Sequence, residues 1–302
     1  MKRLERFVTA VGVAAVALAK ACAAWGEPIP QGKMPVYTDR TLSDVPNAAA
    51  MSRLIWSPGL DEGYVPQGLT VLDGAIFVGT YRSEDAKQSR GPCRIYRLDP
   101  SHGGQVTQSL DLPPRCGHAG GLARGGPDRL WVVDTRDIFE IEIARSGGSL
   151  GRVIRSIRLS GDLKGSFAAG APDALWIGDY TKMSGARLYK LPFTKLSSET
   201  GSLSEQDAEE SIALPTKVQG AAFDATGRLW ITRSGSTFGE LLQLDQRNGA
   251  ILKRFAMPAG IEDISFAPDG GLWAVGEAGS KRWLDWKTFF PVVVQLKPEL
   301  LR

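Results

Sequence analysis

The residues of this chain best suited to proton or cation chemistry are the adjacent carboxylates Glu262-Asp263 and the histidine His118. A carboxylate held away from water keeps its proton above the ordinary range unless a cation balances it, so Glu262 suits a general base, and His118 a second one. With Asp263, and with Asp134 or Asp179, these groups would offer the hard donors that Ca²⁺ or Mg²⁺ takes, although their spacing follows no ligand signature. Tyr64, Gln67, Tyr81, Arg82, Asp134, Arg136, Asp179, Tyr180, Gln219, Arg233, Glu277, Arg282 and Trp283 add the amide, phenol, guanidinium, carboxylate and indole groups that fix a small polar ligand. His102, in Ser101-His-Gly-Gly104, reads as a turn residue. No nucleophile elbow, phosphate loop, haem motif or paired-thiolate motif occurs. Gly117-His-Ala-Gly-Gly121 precedes a strand rather than a helix and is therefore no dinucleotide fingerprint.

These residues are scattered through the chain, and only a repeat brings them together. A cassette with a Gly/Asp turn and a Leu-Trp-Val-like strand returns at Pro66, Ala119, Gly165, Val218 and Ile261. Aligned on Phe77, Trp131, Trp176, Trp230 and Trp273, the copies lie 54, 45, 54 and 43 residues apart, which is blade spacing. The sequence thus predicts an all-β, five-bladed β-propeller of four-stranded antiparallel blades. The fifth blade lacks a strand of its own, and Ser52–Ser57 is free to supply it, closing the ring and removing an open edge. The recurring tryptophans read as packing between blades, and the small residues Gly68, Gly121, Ala169 and Gly220 as relief near a crowded axis.

In such a ring, the entries to the first strands and the ends of the second strands meet on one face. The residues named above occupy those positions, and the loops 82–92 and 278–291 would roof one side. Lys281, Arg282, Lys87 and Arg90 would form a cationic rim, and Trp283 and Trp286 flat faces, for an anionic ligand carrying a ring. The insertion 194–209, rich in Ser and Glu, reads as a solvated loop on the opposite face.

Residues 1–23 read as a signal peptide: a basic start, an apolar run from Phe7 to Ala19 and an Ala21-Cys-Ala23 cleavage site. Acylation at Cys22 is the alternative. The domains expected are this signal, an extended leader over 24–50 and a single propeller over 51–302, in a periplasmic or secreted protein. The signal carries a net charge of +3, equal to that of the whole chain, so the remainder is near neutral and shows no nucleic-acid footprint. No later apolar stretch is long enough to span a bilayer. Cys93 and Cys116 then form an even pair in an oxidising compartment, and a disulfide is expected between them.

The repeated GL-x-x-x-x-DG-x-LWV pattern over residues 60–297 resembles the secreted propellers related to gluconolactonases, strictosidine synthases and NHL-repeat proteins. That resemblance implies a channel metal held by a Glu, two Asn and an Asp. Here Gln67 stands where the first-blade Glu would be, and no Asn falls at a blade entry. Tyr64-Val-Pro-Gln-Gly-Leu69 is also similar to the first-blade motif of five-bladed glutaminyl cyclases, which place a Glu where this chain has Gly79-Thr80. The function expected is binding of a small, anionic ligand at the channel mouth, with no cofactor required. Alternatives are a lactonase-like hydrolase or lyase, with Glu262 or His118 as base and a Ca²⁺ or Mg²⁺ ion, and a platform for a protein partner.

Overall fold

The computed structural model describes residues 28–197 and 201–302; the expected signal segment and Cys22 lie outside them. β1 (Met51–Trp56) is followed by blade one: β2 (Tyr64–Leu72), β3 (Ala75–Arg82), β4 (Cys93–Asp99) and β5 (Gln105–Asp111). Blade two has β6 (Gly121–Gly126), β7 (Arg129–Val133), β8 (Asp137–Ile143) and β9 (Gly151–Leu159). Blade three has β10 (Phe167–Gly170), β11 (Ala174–Gly178), β12 (Arg187–Pro192), a short helix α1 (Phe193–Ser197), the two-residue β13 (Ser202–Leu203) and β14 (Glu210–Ala213). Blade four has β15 (Val218–Phe223), β16 (Leu229–Gly235), β17 (Phe238–Leu244) and β18 (Ile251–Met257); β19 (Ile261–Phe266), β20 (Leu272–Gly276) and β21 (Val292–Leu296) complete the chain's strands.

Five antiparallel sheets result, and the inner strands β2, β6, β10, β15 and β19 each contact the next around a closed ring. β1 pairs antiparallel with β21, Leu54 opposite Val294, and so becomes the outer strand of blade five, as the sequence predicts. The aligned aromatics explain the order. Phe77, Trp131, Trp176, Trp230 and Trp273 each sit in a different apolar cluster, filling the seam between their own blade and its neighbour. All five are buried, and truncating one to Ala would cost about 3–5 kcal/mol. At the axis the inner strands approach too closely for side chains. A Cβ on Gly121 would lie 2.3 Å from the Ala168 nitrogen, and one on Gly220 2.5 Å from the Asp263 Cα.

The blade-three insertion differs from the solvated loop expected of it. β13 pairs in parallel with β9 of blade two, Leu203 beside Leu159, and Leu196 and Leu203 are buried in the seam between the two blades. Two leucines at that spacing overrode the polar composition, because an uncovered outer strand offers both hydrogen bonds and apolar surface.

Residues 28–50 are irregular apart from a bridge between Gln31 and Ile55 and one 3₁₀ turn, Ala48–Ala50. Cys93 and Cys116 form a disulfide spanning 23 residues, which closes a loop worth about 3 kcal/mol by chain entropy. Among the described residues, no helix is long and apolar enough to cross a membrane.

Candidate functional site

The mouth of the ring is built on breaks in the inner strands. In β2 the register with β3 slips between Pro66 and Leu69; in β15 the register with β16 slips between Val218 and Gly220; in β19 the register with β20 slips between Ile261 and Ile264. Gln67, Gln219, Glu262 and Asp263 occupy those slips. An unpaired residue in a bulge is turned out of the pleat, and this is how neighbouring inner strands aim polar side chains at one point.

Asp263 is the structural one of the four. Its Oδ2 accepts from the Leu69 and Leu122 backbone N–H groups at 3.0 and 3.3 Å, and its Oδ1 from that of Ile264 at 3.0 Å. One fully buried carboxyl group thus ties together the inner strands of blades one, two and five. Burial pushes its pKa up, and these N–H donors pull the other way.

Glu262 and Glu277 form the chemical centre. Glu277 lies just past β20 and its backbone N–H donates to the Gly260 carbonyl at 2.9 Å, which sets it diagonally across the hairpin from Glu262, within reach of a long side chain. Their carboxyl groups are close enough for the charge of Glu277 to act on Glu262, and they are only 2% and 6% exposed. Gln67 Nε2 donates to Glu277 Oε2 at 2.9 Å, and Trp283 Nε1 to the same oxygen at 2.6 Å. Gln219 Nε2 donates to Glu262 Oε1 at 2.8 Å, and Thr232 Oγ1 to the Glu262 carbonyl at 2.5 Å. Burial, opposed by the Trp283, Glu262 and Gln67 bonds and the Arg282 charge, pushes Glu277 up to about 7. Burial and then the Glu277 charge push Glu262 well above the carboxylate range. At neutral pH the pair therefore retains a proton, which belongs to the pair rather than to one glutamate.

Aromatic rings wall this pair. Tyr81 stacks on His118 at 4.5 Å between ring centroids and 20° between planes. The Arg282 guanidinium donates to the Tyr81 hydroxyl and to the Ala86 carbonyl at 3.2 Å, and lies 4.3 Å from the Trp283 ring centroid. The half-buried Tyr180 phenol is pushed up by burial and then by the charges of Glu262 and Glu277, which places it beside the pair. Burial and the Arg282 and Arg90 charges push His118 down to about 4, so its imidazole is neutral.

His118 is held by Asp134. The buried Asp134 Oδ1 accepts from the backbone N–H groups of Gly117, His118 and Ala119 at 3.3, 2.7 and 3.2 Å, while Oδ2 faces Arg90 at 3.5 Å. That grip holds Ala119 in the left-handed region at φ 50°, a conformation that a non-glycine residue adopts only under constraint. The disulfide fixes the same loop one residue further back, at Cys116.

Of the residues the sequence singles out, Gln67, Tyr81, His118, Tyr180, Gln219, Glu262, Glu277, Arg282 and Trp283 converge here. The others lie elsewhere. Tyr64 packs edge-on against Tyr96 under Arg94, and the Arg82 side chain is exposed. Arg136 donates to the Gly161 and Leu163 carbonyls, Arg233 to Thr216 and Glu240, and Asp179 faces Lys164 at 3.9 Å. Arg282 is 9% exposed and is a buried cation rather than a rim charge. The donors expected to share a cation are not gathered: Asp263 and Asp134 spend their oxygens on backbone N–H groups and Arg90. Among the described residues, Cys93, Cys116 and Asp134 do lie together, but both thiols are in the disulfide. Thr232, which fixes the Glu262 backbone and lies opposite Gly220 beside the β15 slip, is a site residue that nothing in the sequence marks out.

No family model and no curated protein sequence matches the chain. Among solved structures, the glutaminyl cyclase of Myxococcus xanthus is 16% identical, covers 82% of this chain and 94% of its own, and superposes with a TM-score of 0.56. The PQQ-bound aldose sugar dehydrogenase of Streptomyces coelicolor is 14% identical over 77% of this chain and 94% of its own, with a TM-score of 0.46. At such identities the likeness concerns architecture alone, and on that ground the chain belongs among the five-bladed β-propellers.

Proposed function

We propose that this protein is exported and binds a small polar substrate at the channel mouth, where the Glu262–Glu277 pair takes a proton from one substrate atom and returns it to another. The observation that carries this reading is the pair of buried glutamates, oriented by Gln67, Gln219 and Trp283 and walled by aromatic rings. A general acid and base work best with pKa values near the working pH, and the pair holds one of each form there. Export is supported by the basic and apolar amino-terminal run and by the disulfide.

The expectation of an anionic ligand rested on a cationic rim. Arg282 is held by Tyr81 and the Ala86 carbonyl, Lys281 faces Glu84, and Arg90 faces Asp134 and the Arg115 carbonyl, so three of the four expected rim cations are turned onto the protein's own groups. With Arg90 and Lys281 turned onto carboxylates and Arg282 buried beside Glu277, a neutral amide or an amine is the ligand we take forward. An N-terminal glutaminyl peptide carries both, and the fold likeness to a glutaminyl cyclase, with Tyr64-Val-Pro-Gln-Gly-Leu69, makes it the first substrate to try. Its amine nitrogen attacks the side-chain amide carbon; that C–N bond forms as the C–NH₂ bond breaks. The Glu277 carboxylate takes the proton from the attacking nitrogen, and the Glu262 carboxyl gives one to the leaving ammonia.

The test is ammonia release from a glutaminyl peptide by the purified protein. Glu262→Gln and Glu277→Gln should each lower the rate by about 100-fold or more, the usual worth of a positioned acid or base. No release, and no shift of melting temperature with any small amine or lactone, refutes the reading; a partner retained on purification would then favour a docking platform. A second reading follows from the same geometry. Two facing carboxylates with two side-chain amides, whose O and N atoms can exchange places, form an oxygen set for Ca²⁺ or Mg²⁺ in place of the shared proton. Turnover of a lactone that is lost to a chelator and restored by Ca²⁺ would select it.

A further inference from the structure

Arg40 lies more than 240 residues away in sequence from the carbonyls it holds in the loop that caps the mouth. Its Nη1 donates to the carbonyls of Leu284 and Trp286 at 2.6 and 2.9 Å, and its Nη2 to that of Lys287 at 2.7 Å. The guanidinium also lies 5.1 Å from the Phe289 ring centroid. Two further ties run alongside. The Tyr37 hydroxyl donates to the Gly279 carbonyl at 2.5 Å, and Ser43 and Phe289 exchange bonds through Ser43 N to Phe289 O at 3.0 Å and Phe289 N to Ser43 Oγ at 2.8 Å.

The three carbonyls that Arg40 holds follow directly on the 3₁₀ turn Lys281–Trp283. They lie on a 15-residue connection with no strand of its own, between Gly276 and Val292. That connection bears the two residues that touch the carboxyl pair and its wall, Trp283 on Glu277 and Arg282 on Tyr81. Trp286, whose carbonyl Arg40 takes, stacks on Trp283 at 4.7 Å and donates its backbone N–H to the Trp283 carbonyl at 3.1 Å. A planar fork with five donors meets three convergent carbonyls where an ammonium meets one or two, so the position requires arginine rather than lysine.

We propose that Arg40 is a positioning residue for the mouth: by clamping the loop that follows β20 it holds the Trp283 indole on Glu277, so that the segment before β1 is part of the site. The proposal rests on the role given to the carboxyl pair above, but its test needs no substrate. The Trp283 indole N–H resonance is assigned by its loss in Trp283→Phe, and the glutamate carboxyl groups are followed by ¹³C NMR against pH. In Arg40→Ala the indole resonance should move to the shift of a solvent-bonded indole. The midpoint of the carboxyl titration should rise by about one pH unit, because a hydrogen bond that favours ionised Glu277 is lost. Trp283→Phe should raise it equally, and the double variant no further, while Arg40→Lys should fall between Arg40→Ala and the parent. An unchanged indole resonance and an unchanged midpoint in Arg40→Ala, with only a lower melting temperature, would overturn the proposal. If Arg40→Ala does not fold, Arg40→Lys alone decides by the same two signals. A parent protein that shows no carboxyl titration near neutrality defeats the reading of the pair, and the indole signal still reports on the clamp.

Discussion

Replacing Glu277 by Gln should change the pH dependence of stability more than stability itself. The substitution keeps the shape and leaves a side-chain oxygen to accept from Trp283 Nε1 and Gln67 Nε2, but it removes the charge. In the folded protein the Glu277 carboxyl is pushed from 4.5 up to about 7, chiefly by burial. As pH rises above 4.5 the unfolded chain loses this proton while the folded protein retains it, so stability present at acid pH is progressively lost until about pH 7. Each pH unit of separation is worth about 1.4 kcal/mol, and the loss over the window comes to about 3 kcal/mol. Glu262, pushed higher still, keeps its proton when folded and loses it when unfolded, so it adds a similar fall in stability to both proteins and cancels in the comparison. Denaturant unfolding at pH 4.5 and pH 8 should therefore show the parent losing about 3 kcal/mol more than Glu277→Gln between the two conditions. Parallel pH profiles for the two proteins would mean that Glu277 ionises at its ordinary value in the fold, its burial offset by its hydrogen bonds.

Asp263→Ala should cost at least about 3 kcal/mol, because three backbone N–H groups from three blades lose their acceptor, and denaturant midpoints measure it; a cost below 1 kcal/mol would show that water replaces the carboxylate. The His118 ring should stay neutral from pH 8 down to about 5 in proton NMR, since its folded value is pushed from 6.5 to about 4. Stability tied to this group is present above pH 6.5 and falls as the pH drops toward 4, and a ring titrating near 6.5 would place His118 in water.

The architecture was legible because one residue type marks each copy. A large aromatic on the second strand must fill the seam with the next blade, so selection for packing leaves a visible period at Phe77, Trp131, Trp176, Trp230 and Trp273. The ring-closing strand was legible for a related reason: a blade short of one strand demands a donor. The site was legible only as a face. That Glu262 and Glu277 meet is not written in simple hairpin pairing, which sets Glu277 opposite Gly260 and Glu262 one step the other way. The register slips that rotate Gln67, Gln219 and Glu262 inward leave no mark in composition, because a bulge adds a residue without changing its type. The Arg40 clamp was invisible for a different reason. Its partners are main-chain carbonyls, and carbonyls carry no sequence. Nor could composition separate Asp263, saturated by main-chain donors, from a cation ligand.

The strand that completes the last blade is made first. Met51–Trp56 leaves the ribosome well over 200 residues before Val292–Leu296, the strand it must join. Until then the nascent chain holds four finished blades and an open seam, with Trp230, Trp273 and both flanking edges short of their final cover. Closing that gap is the most non-local event in folding and sets its slow step. A circularly permuted chain beginning at β19 and ending at β18, with the old termini joined, would bring the two partners within one short connection, and would trade a late ring closure for an early hairpin.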